Sequence, residues 1–240
     1  MNVDCVLQAK GLAIHYGGVK AVDGVDLMLM RSQIRGLIGP NGAGKSTVID
    51  AITGRRRLTS GEIRLGGEDV ATLGVVQRRR RGLSRSFQRT SIFGNMPVRK
   101  QVELASYMMA VVDPSADADD VLRELELLPL ADVRAADLGY GEQRRLDLAL
   151  ALVGRPTVLL LDEPMAGLSV KESHDLGQHL KALTSRRDVS VLLVEHDMDV
   201  VFGISDVVTV LELGRVIAAG DPGEVRKDSR VRAAYLGSAG

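Results

Sequence analysis

Gly39–Pro40–Asn41–Gly42–Ala43–Gly44–Lys45–Ser46–Thr47 decides the fold. The stretch fits G-x-x-x-x-G-K-[ST], a phosphate-binding loop that joins a strand to a helix. The apolar run Ile34–Ile38 leads into it, and Val48–Thr53 continues from it with helical character. Gly42 and Gly44 let the backbone curl, so that successive N–H groups converge on phosphate oxygens. The helix N-terminus adds the positive end of its dipole. In this frame Lys45 supplies a point charge to the β- and γ-phosphates, the Ser46 hydroxyl ligates Mg²⁺, and Thr47 adds a phosphate contact. Gly39, Pro40, Asn41, Gly42, Ala43 and Gly44 supply the backbone of the cradle.

The second informative stretch is Val158–Leu159–Leu160–Leu161–Asp162–Glu163. A carboxylate ending a fully apolar strand is costly unless it has a partner. Mg²⁺ is the natural one, which gives Asp162 the metal-holding role of a phosphate-loop ATPase. Glu163 then projects beside the γ-phosphate as candidate general base for the attacking water.

Working outward, Val6–His15 and Val25–Met30 read as strands, and Gly61–Leu65 and Glu68–Val70 flank the hairpin signal Gly66–Gly67. These early strands predict a small antiparallel β subdomain around the nucleotide loop. Val98–Met109 and Asp119–Leu128 have helical periodicity, separated by an acidic, proline-containing connection at Asp113–Asp120, and Gly141–Leu152 reads as a further helix. Then strand Thr157–Leu161, helix Lys171–Ser185, strand Val189–Val194 and helix Asp197–Ile204 restore the alternation of a parallel sheet. Val207–Glu212 and Arg215–Ala219 form a closing hairpin before a short helical tail. The expected organisation is one α/β domain, with residues 1–89 and 153–240 forming the nucleotide-binding core and β subdomain, and residues 90–152 an inserted helical subdomain.

Composition narrows the partners. Acidic and basic residues balance at 31 each, so no global field draws the chain to nucleic acid or anionic lipid. The runs Arg55–Arg57 and Arg78–Arg81 lack interleaved aromatics and read as solvated helix ends. Hydrophobic residues make up 45%, enough for a proper core, yet no apolar run approaches the ~20 residues that span a bilayer. The N-terminus has no secretory pattern. Cys5 is the single cysteine, so no internal disulfide is possible; it reads as an idle thiol in a reducing compartment.

With the phosphate loop and the Asp162–Glu163 strand in place, Leu138–Gly139–Tyr140–Gly141–Glu142–Gln143 resembles the signature loop of the ATP-binding cassette (ABC) ATPases. The resemblance covers nearly the whole chain. It implies a phosphate-loop NTPase core with an N-terminal antiparallel β subdomain and an inserted α-helical subdomain, and a dimer in which the signature, through Gly139, Gly141, Glu142 and Gln143, completes the partner subunit's ATP site. By the same resemblance Tyr16 stacks on adenine, Gln88 senses Mg²⁺ and the attacking water and couples to membrane subunits, and His196 contacts the γ-phosphate. Two positions depart from the family pattern. Gly139 stands where serine is usual, removing one hydrogen bond to charge of about 1.5–3 kcal/mol. Ser169 stands where aspartate is usual.

Ser84–Arg85–Ser86–Phe87–Gln88, Tyr140–Gly141–Glu142–Gln143–Arg144–Arg145–Leu146, Glu195–His196–Asp197–Met198 and Ala234–Tyr235–Leu236–Gly237 are similar to ATP-binding subunits of importers for branched-chain and other hydrophobic amino acids. Importers of urea and short amides share much of this pattern. The resemblance implies an ATP hydrolase at the cytoplasmic face of the inner membrane, with two integral membrane permeases, a second ABC ATPase subunit and, indirectly, a solute-binding protein. A soluble ABC ATPase acting on DNA or ribosomes is the reading of a different class; it carries coiled-coil insertions or duplicated cassettes that 240 residues do not hold. A phosphate-loop kinase leaves the signature loop and Gln88 unexplained.

Overall fold

The computed structural model describes residues 4–86 and 91–236. In chain order the elements are β1 (Cys5–Tyr16), β2 (Val19–Met30), β3 (Ile34–Ile38), α1 (Lys45–Ile52), β4 (Ser60–Leu65), β5 (Glu68–Asp69), α2 (Val75–Arg80), β6 (Leu83–Ser86), α3 (Val98–Met108) and α4 (Pro114–Glu124). There follow α5 (Tyr140–Leu152), β7 (Val158–Asp162), α6 (Val170–Arg187), β8 (Ser190–Val194), α7 (Met198–Ile204), β9 (Val207–Glu212), β10 (Arg215–Gly220), α8 (Pro222–Val225) and α9 (Ser229–Leu236).

Two sheets form. The first is antiparallel, in the order β2-β1-β4-β5; the second runs β10-β9-β3-β8-β7-β6 and is parallel except for the β9–β10 pair. The strand alternation of the second sheet feeds two cores. Ile34, Ile38, Leu159, Leu161, Val191 and Leu193 join the cluster that packs against α3–α6. Leu37, Val158, Leu160, Leu192 and Val194 join the cluster shared with α1 and the antiparallel sheet. Being buried on both faces explains why these strands read as unbroken apolar runs.

Parallel pairing sets β3, β7 and β8 side by side, with Leu37 opposite Val194 and Val194 opposite Asp162. The segments following β3, β7 and β8 are therefore neighbours at the carboxyl ends of the strands, which is where ligands bind in open α/β sheets.

Three expectations are corrected. The stretch Asp113–Asp120 is not a connection: α4 begins at Pro114, with Asp113 as its cap accepting from the Ala116 N–H at 3.0 Å. Proline at the first helical position and an aspartate before it are start signals, and the acidic composition masked them. The second strand begins six residues earlier than Val25, at Val19, where it pairs with Tyr16. Arg78–Arg81 is a solvated helix end only in part: Arg80 and Arg81 are exposed, whereas Arg78 is buried and Arg79 half-buried. Arg78 is 1% exposed and donates to the carbonyls of Ala51, Ile52, Leu73 and Ala71 at 2.6–2.9 Å. It closes the C-terminal end of α1, whose last carbonyls lack helical partners. Arg79 donates to the Val153 carbonyl at 2.7 Å, joining α2 to the end of α5.

Candidate active site

The phosphate loop lies between β3 and α1, as the motif requires. Gly42 and Gly44 have φ of 79° and 103°, the region glycine alone enters freely. A Cβ on Gly44 would also sit 2.6 Å from the Ala21 carbonyl, so the position excludes any side chain. Lys45 is 7% exposed and donates to the carbonyls of Gly39 at 2.7 Å and Pro40 at 3.1 Å. Burial pulls its pKa down, opposed by the charges of Glu163 and Asp162. Ser46 and Asn41 are exposed on the open side of the turn and Thr47 is half-buried.

Asp162 ends β7 at 8% exposure, and Arg85 on β6 donates to its Oδ2 at 2.8 Å while also reaching Asp50 Oδ1 on α1 at 2.6 Å. Arg85 thus ties strand, helix and carboxylate together. Glu163 follows in the left-handed region, φ 53°, with its N–H on the Val194 carbonyl at 2.8 Å. That turn aims its carboxylate at His196, whose Nε2 lies 2.5 Å from Glu163 Oε1. His196 is 49% exposed, so the pair faces the open site rather than the core. Glu195 beneath it is buried, accepting from the N–H groups of Met165 at 2.7 Å and His196 at 3.1 Å; burial pushes its pKa up. It locks the segment after Glu163 to the segment bearing His196.

Among the described residues, no three His, Cys, Asp or Glu side chains form a metal cluster on their own. The donors present are one hydroxyl, Ser46, and one carboxylate, Asp162. Hard oxygen ligands in that number suit Mg²⁺, which keeps waters and phosphate oxygens in its shell. Tyr16 ends β1 at 45% exposure, with the Arg56 guanidinium 5.4 Å from its ring centroid. Gln88 lies outside the described residues.

The signature loop stands apart from this group. Gly139 precedes α5, and its N–H donates to Glu142 Oε2 at 2.8 Å. Gln143 Nε2 donates to the Ala135 and Leu138 carbonyls, each at 3.2 Å. Tyr140 donates its hydroxyl proton to the Ala166 carbonyl at 2.9 Å and accepts from Arg144 at 2.8 Å. A cleft of about 340 Å³ beside the loop is lined by Gly139, Gly141 and Glu142 together with residues of α6, and by none of Gly39–Thr47. The fold therefore brings together Lys45, Asp162, Glu163 and His196 and leaves Gly139–Gln143 on a separate surface. Ser169 caps α6, accepting from the Glu172 N–H at 3.3 Å and donating to Glu172 Oε2 at 2.6 Å.

Sequence reasoning assigned no role to Arg85 or Glu195. Only Glu195 carried a signal, a carboxylate directly after the apolar strand β8; Arg85 lies in the polar strand β6 and carried none.

Comparison with known proteins gives the family. Residues 22–166 match the family model described as ABC transporter, and residues 215–240 match that described as branched-chain amino acid ATP-binding cassette transporter. The chain is 37% identical to the high-affinity branched-chain amino acid transport ATP-binding protein BraF of Pseudomonas aeruginosa, over 98% of both chains. It is equally similar to the LivG protein of Escherichia coli K12, with the same description and coverage. Among solved structures, an ATP-binding cassette of an ABC transporter in its ADP conformation superposes with a TM-score of 0.89 at 26% identity, covering 97% of this chain and 99% of that one. A further neighbour, cbiO1 from Clostridium perfringens, part of the ABC transporter complex cbiONQ, gives 0.87 at 26%, covering 98% and 96%.

Proposed function

This chain belongs to the ABC transporter family of ATP-binding cassettes, ATPases that power transport, and on that premise we propose that it energises an importer of branched-chain amino acids. The observation that carries the reading is the C-terminal match over residues 215–240, which joins a generic cassette to one importer group. The printed descriptions of BraF and LivG support it.

In the proposed cycle, Lys45 and the N–H groups of the phosphate loop bind the ATP phosphates while Tyr16 receives the adenine. Ser46 and Asp162 hold Mg²⁺, which supplies charge neutralisation across the phosphates when bound. Glu163 orients a water and takes its proton as the water attacks the γ-phosphorus and the bond to the β–γ bridging oxygen breaks, releasing ADP and phosphate. His196, within hydrogen-bond distance of Glu163, holds that carboxylate in place and faces the γ-phosphate. A second ABC subunit lays its own signature over the nucleotide, and Gly139–Gln143 do the same for that subunit. Residues 90–152 act as the helical subdomain that carries the signature.

Among the described residues no helix is long and apolar enough to cross a membrane; in the proposed assembly the permease subunits do the spanning. A groove of about 280 Å³ next to β6, lined by Arg55, Val75, Arg79, Ser84, Leu150 and Ala151, is the proposed seat for a permease segment. β6, through Ser84, Arg85 and Ser86, forms part of its lining, and the proposed docking puts this groove toward the cytoplasmic face of the membrane. A periplasmic or lipid-anchored solute-binding protein acts through the permeases.

The test is reconstitution of the complex in proteoliposomes. Leucine-loaded binding protein should stimulate ATP hydrolysis and drive leucine uptake. Stimulation by urea or short amides alone would replace the solute assignment and keep the importer. Failure to co-purify with any permease, combined with tight nucleic-acid binding, would overturn both.

A further inference from the structure

β6 and β7 pair in parallel, with Arg85 opposite Leu160. Residues directly opposite share a face of the sheet, and Asp162 lies two positions beyond Leu160 on that face. Leu160 packs into the cluster that holds Val48, Ile49 and Ile52 of α1. Strand alternation therefore aims Arg85 and Asp162 at the same helix. On α1, Asp50 stands four residues after Ser46, one turn further along the same side.

The Arg85 guanidinium joins strand to helix. Its side chain is 10% exposed; Nη1 donates to Asp50 Oδ1 at 2.6 Å and Nη2 to Asp162 Oδ2 at 2.8 Å. One fork thus spans two carboxylates instead of gripping one of them with both arms. A planar guanidinium with donors at fixed angles suits this bridge, whereas a lysine ammonium is a point charge on a flexible stem. The χ2 torsion of an aspartate is broad. A bond to Oδ2 narrows that range for Asp162 and leaves Oδ1 outside the fork. The tie to Asp50 also fixes β7 against α1, the two elements that carry Asp162 and Ser46. Against two carboxylates one guanidinium leaves a negative balance, so the arrangement still attracts a cation.

We propose that Arg85 is a positioning residue for the Mg²⁺ site: it holds Asp162 by one oxygen and anchors it to the turn of α1 that follows Ser46, so that both metal donors are set before nucleotide arrives. The inference rests on the reading of Asp162 and Ser46 as the Mg²⁺ ligands.

The test is calorimetric titration of the full chain with ATP, once in Mg²⁺ and once in EDTA. The Kd in EDTA divided by the Kd in Mg²⁺ measures the tightening that the ion contributes. Arg85→Gln should leave the Kd in EDTA within about twofold and shrink that ratio about 10–100-fold, the usual cost of removing a group that orients a metal ligand. A parallel loss with and without Mg²⁺ would mark general damage to the fold and overturn the proposal. So would an unchanged ratio, or a larger one, which would make Arg85 a competitor of the ion. If Arg85→Gln does not fold, Asp50→Asn decides, because it keeps the bond from Arg85 to Asp162 and weakens only the tie to α1. It should shrink the ratio about three- to tenfold, the span of one ordinary hydrogen bond, and no change overturns the anchoring. Asp162→Asn is the control on the premise. If it keeps the full tightening, the Mg²⁺ reading of Asp162 fails. If it loses the tightening while Arg85→Gln does not, that reading stands and the role of Arg85 falls.

Discussion

The phosphate loop and the signature loop both set glycines ahead of a helix N-terminus, but their surroundings differ. Around the first, side chains from β6, β7 and the segments after β7 and β8 gather into one connected group: Arg85 on Asp162, Glu163 on His196, Glu195 beneath them. Around the second, the side chains are consumed locally. Glu142 and Gln143 hold the turn, Tyr140 holds Ala166, and what faces outward is backbone. A site that carries out chemistry needs positioned acids and bases, whereas a surface that recognises phosphate needs N–H groups held still. The proposed function uses one of each, and in that proposal their separation gives the second its use on another subunit's nucleotide.

The largest effect that would test this division is on hydrolysis. Glu163→Gln should slow ATP turnover in the assembled complex by about 10²–10⁴-fold while nucleotide binding persists. A steady-state rate near that of the unmodified chain would move the base elsewhere. Next is a stability effect confined to the phosphate-loop half. Arg78→Ala removes the donor to the carbonyls of Ile52, Ala71 and Leu73, and leaves that of Ala51 with the Gly54 N–H alone. It should cost about 3 kcal/mol, a fall of about 6–12 °C in Tm by calorimetry; a loss below about 1 kcal/mol would mean those carbonyls find other partners.

A smaller gain is expected at the signature. A Cβ on Gly139 would stand 3.5 Å from Glu142 Oε2, an ordinary contact, so Gly139→Ser fits without strain. The added hydroxyl should raise the ATPase rate of the assembled complex by up to about tenfold; an unchanged rate would show that the backbone alone suffices there. The smallest effect is in alkali. The Tyr235 phenol titrates at about 12 in the folded chain, against about 10 when unfolded. Between those values the unfolded chain has released a proton that the folded chain retains, so stability present below pH ~10 is lost as pH rises toward 12. Tyr235→Phe should flatten that limb of Tm against pH, and parallel curves would place the phenol in solvent.

Much of the chemistry was legible in the sequence because it is local. A loop with glycines at fixed offsets, a carboxylate closing an apolar strand and a hairpin at Gly66–Gly67 each declare themselves within ten residues. What stayed hidden depends on distant partners. Arg78 looked like a surface charge because its acceptors lie on α1 and in the turn before α2. Arg85 looked idle because Asp162 is 77 residues away. Tyr235 looked like tail, since nothing near it in sequence names the core it packs against. The start of α4 was lost for another reason: Asp113–Pro114 fits a loop as well as a cap, and only the packing of Val121 and Leu122 decides between them.

Glu163 occupies backbone that favours glycine, at φ 53°. Holding a side chain there costs about 1–3 kcal/mol. A glycine at 163 would relieve that strain and lose the carboxylate. Laboratory selection of this chain for heat tolerance alone would therefore drift toward inert variants at this position, and thermal endurance and turnover would have to be selected together.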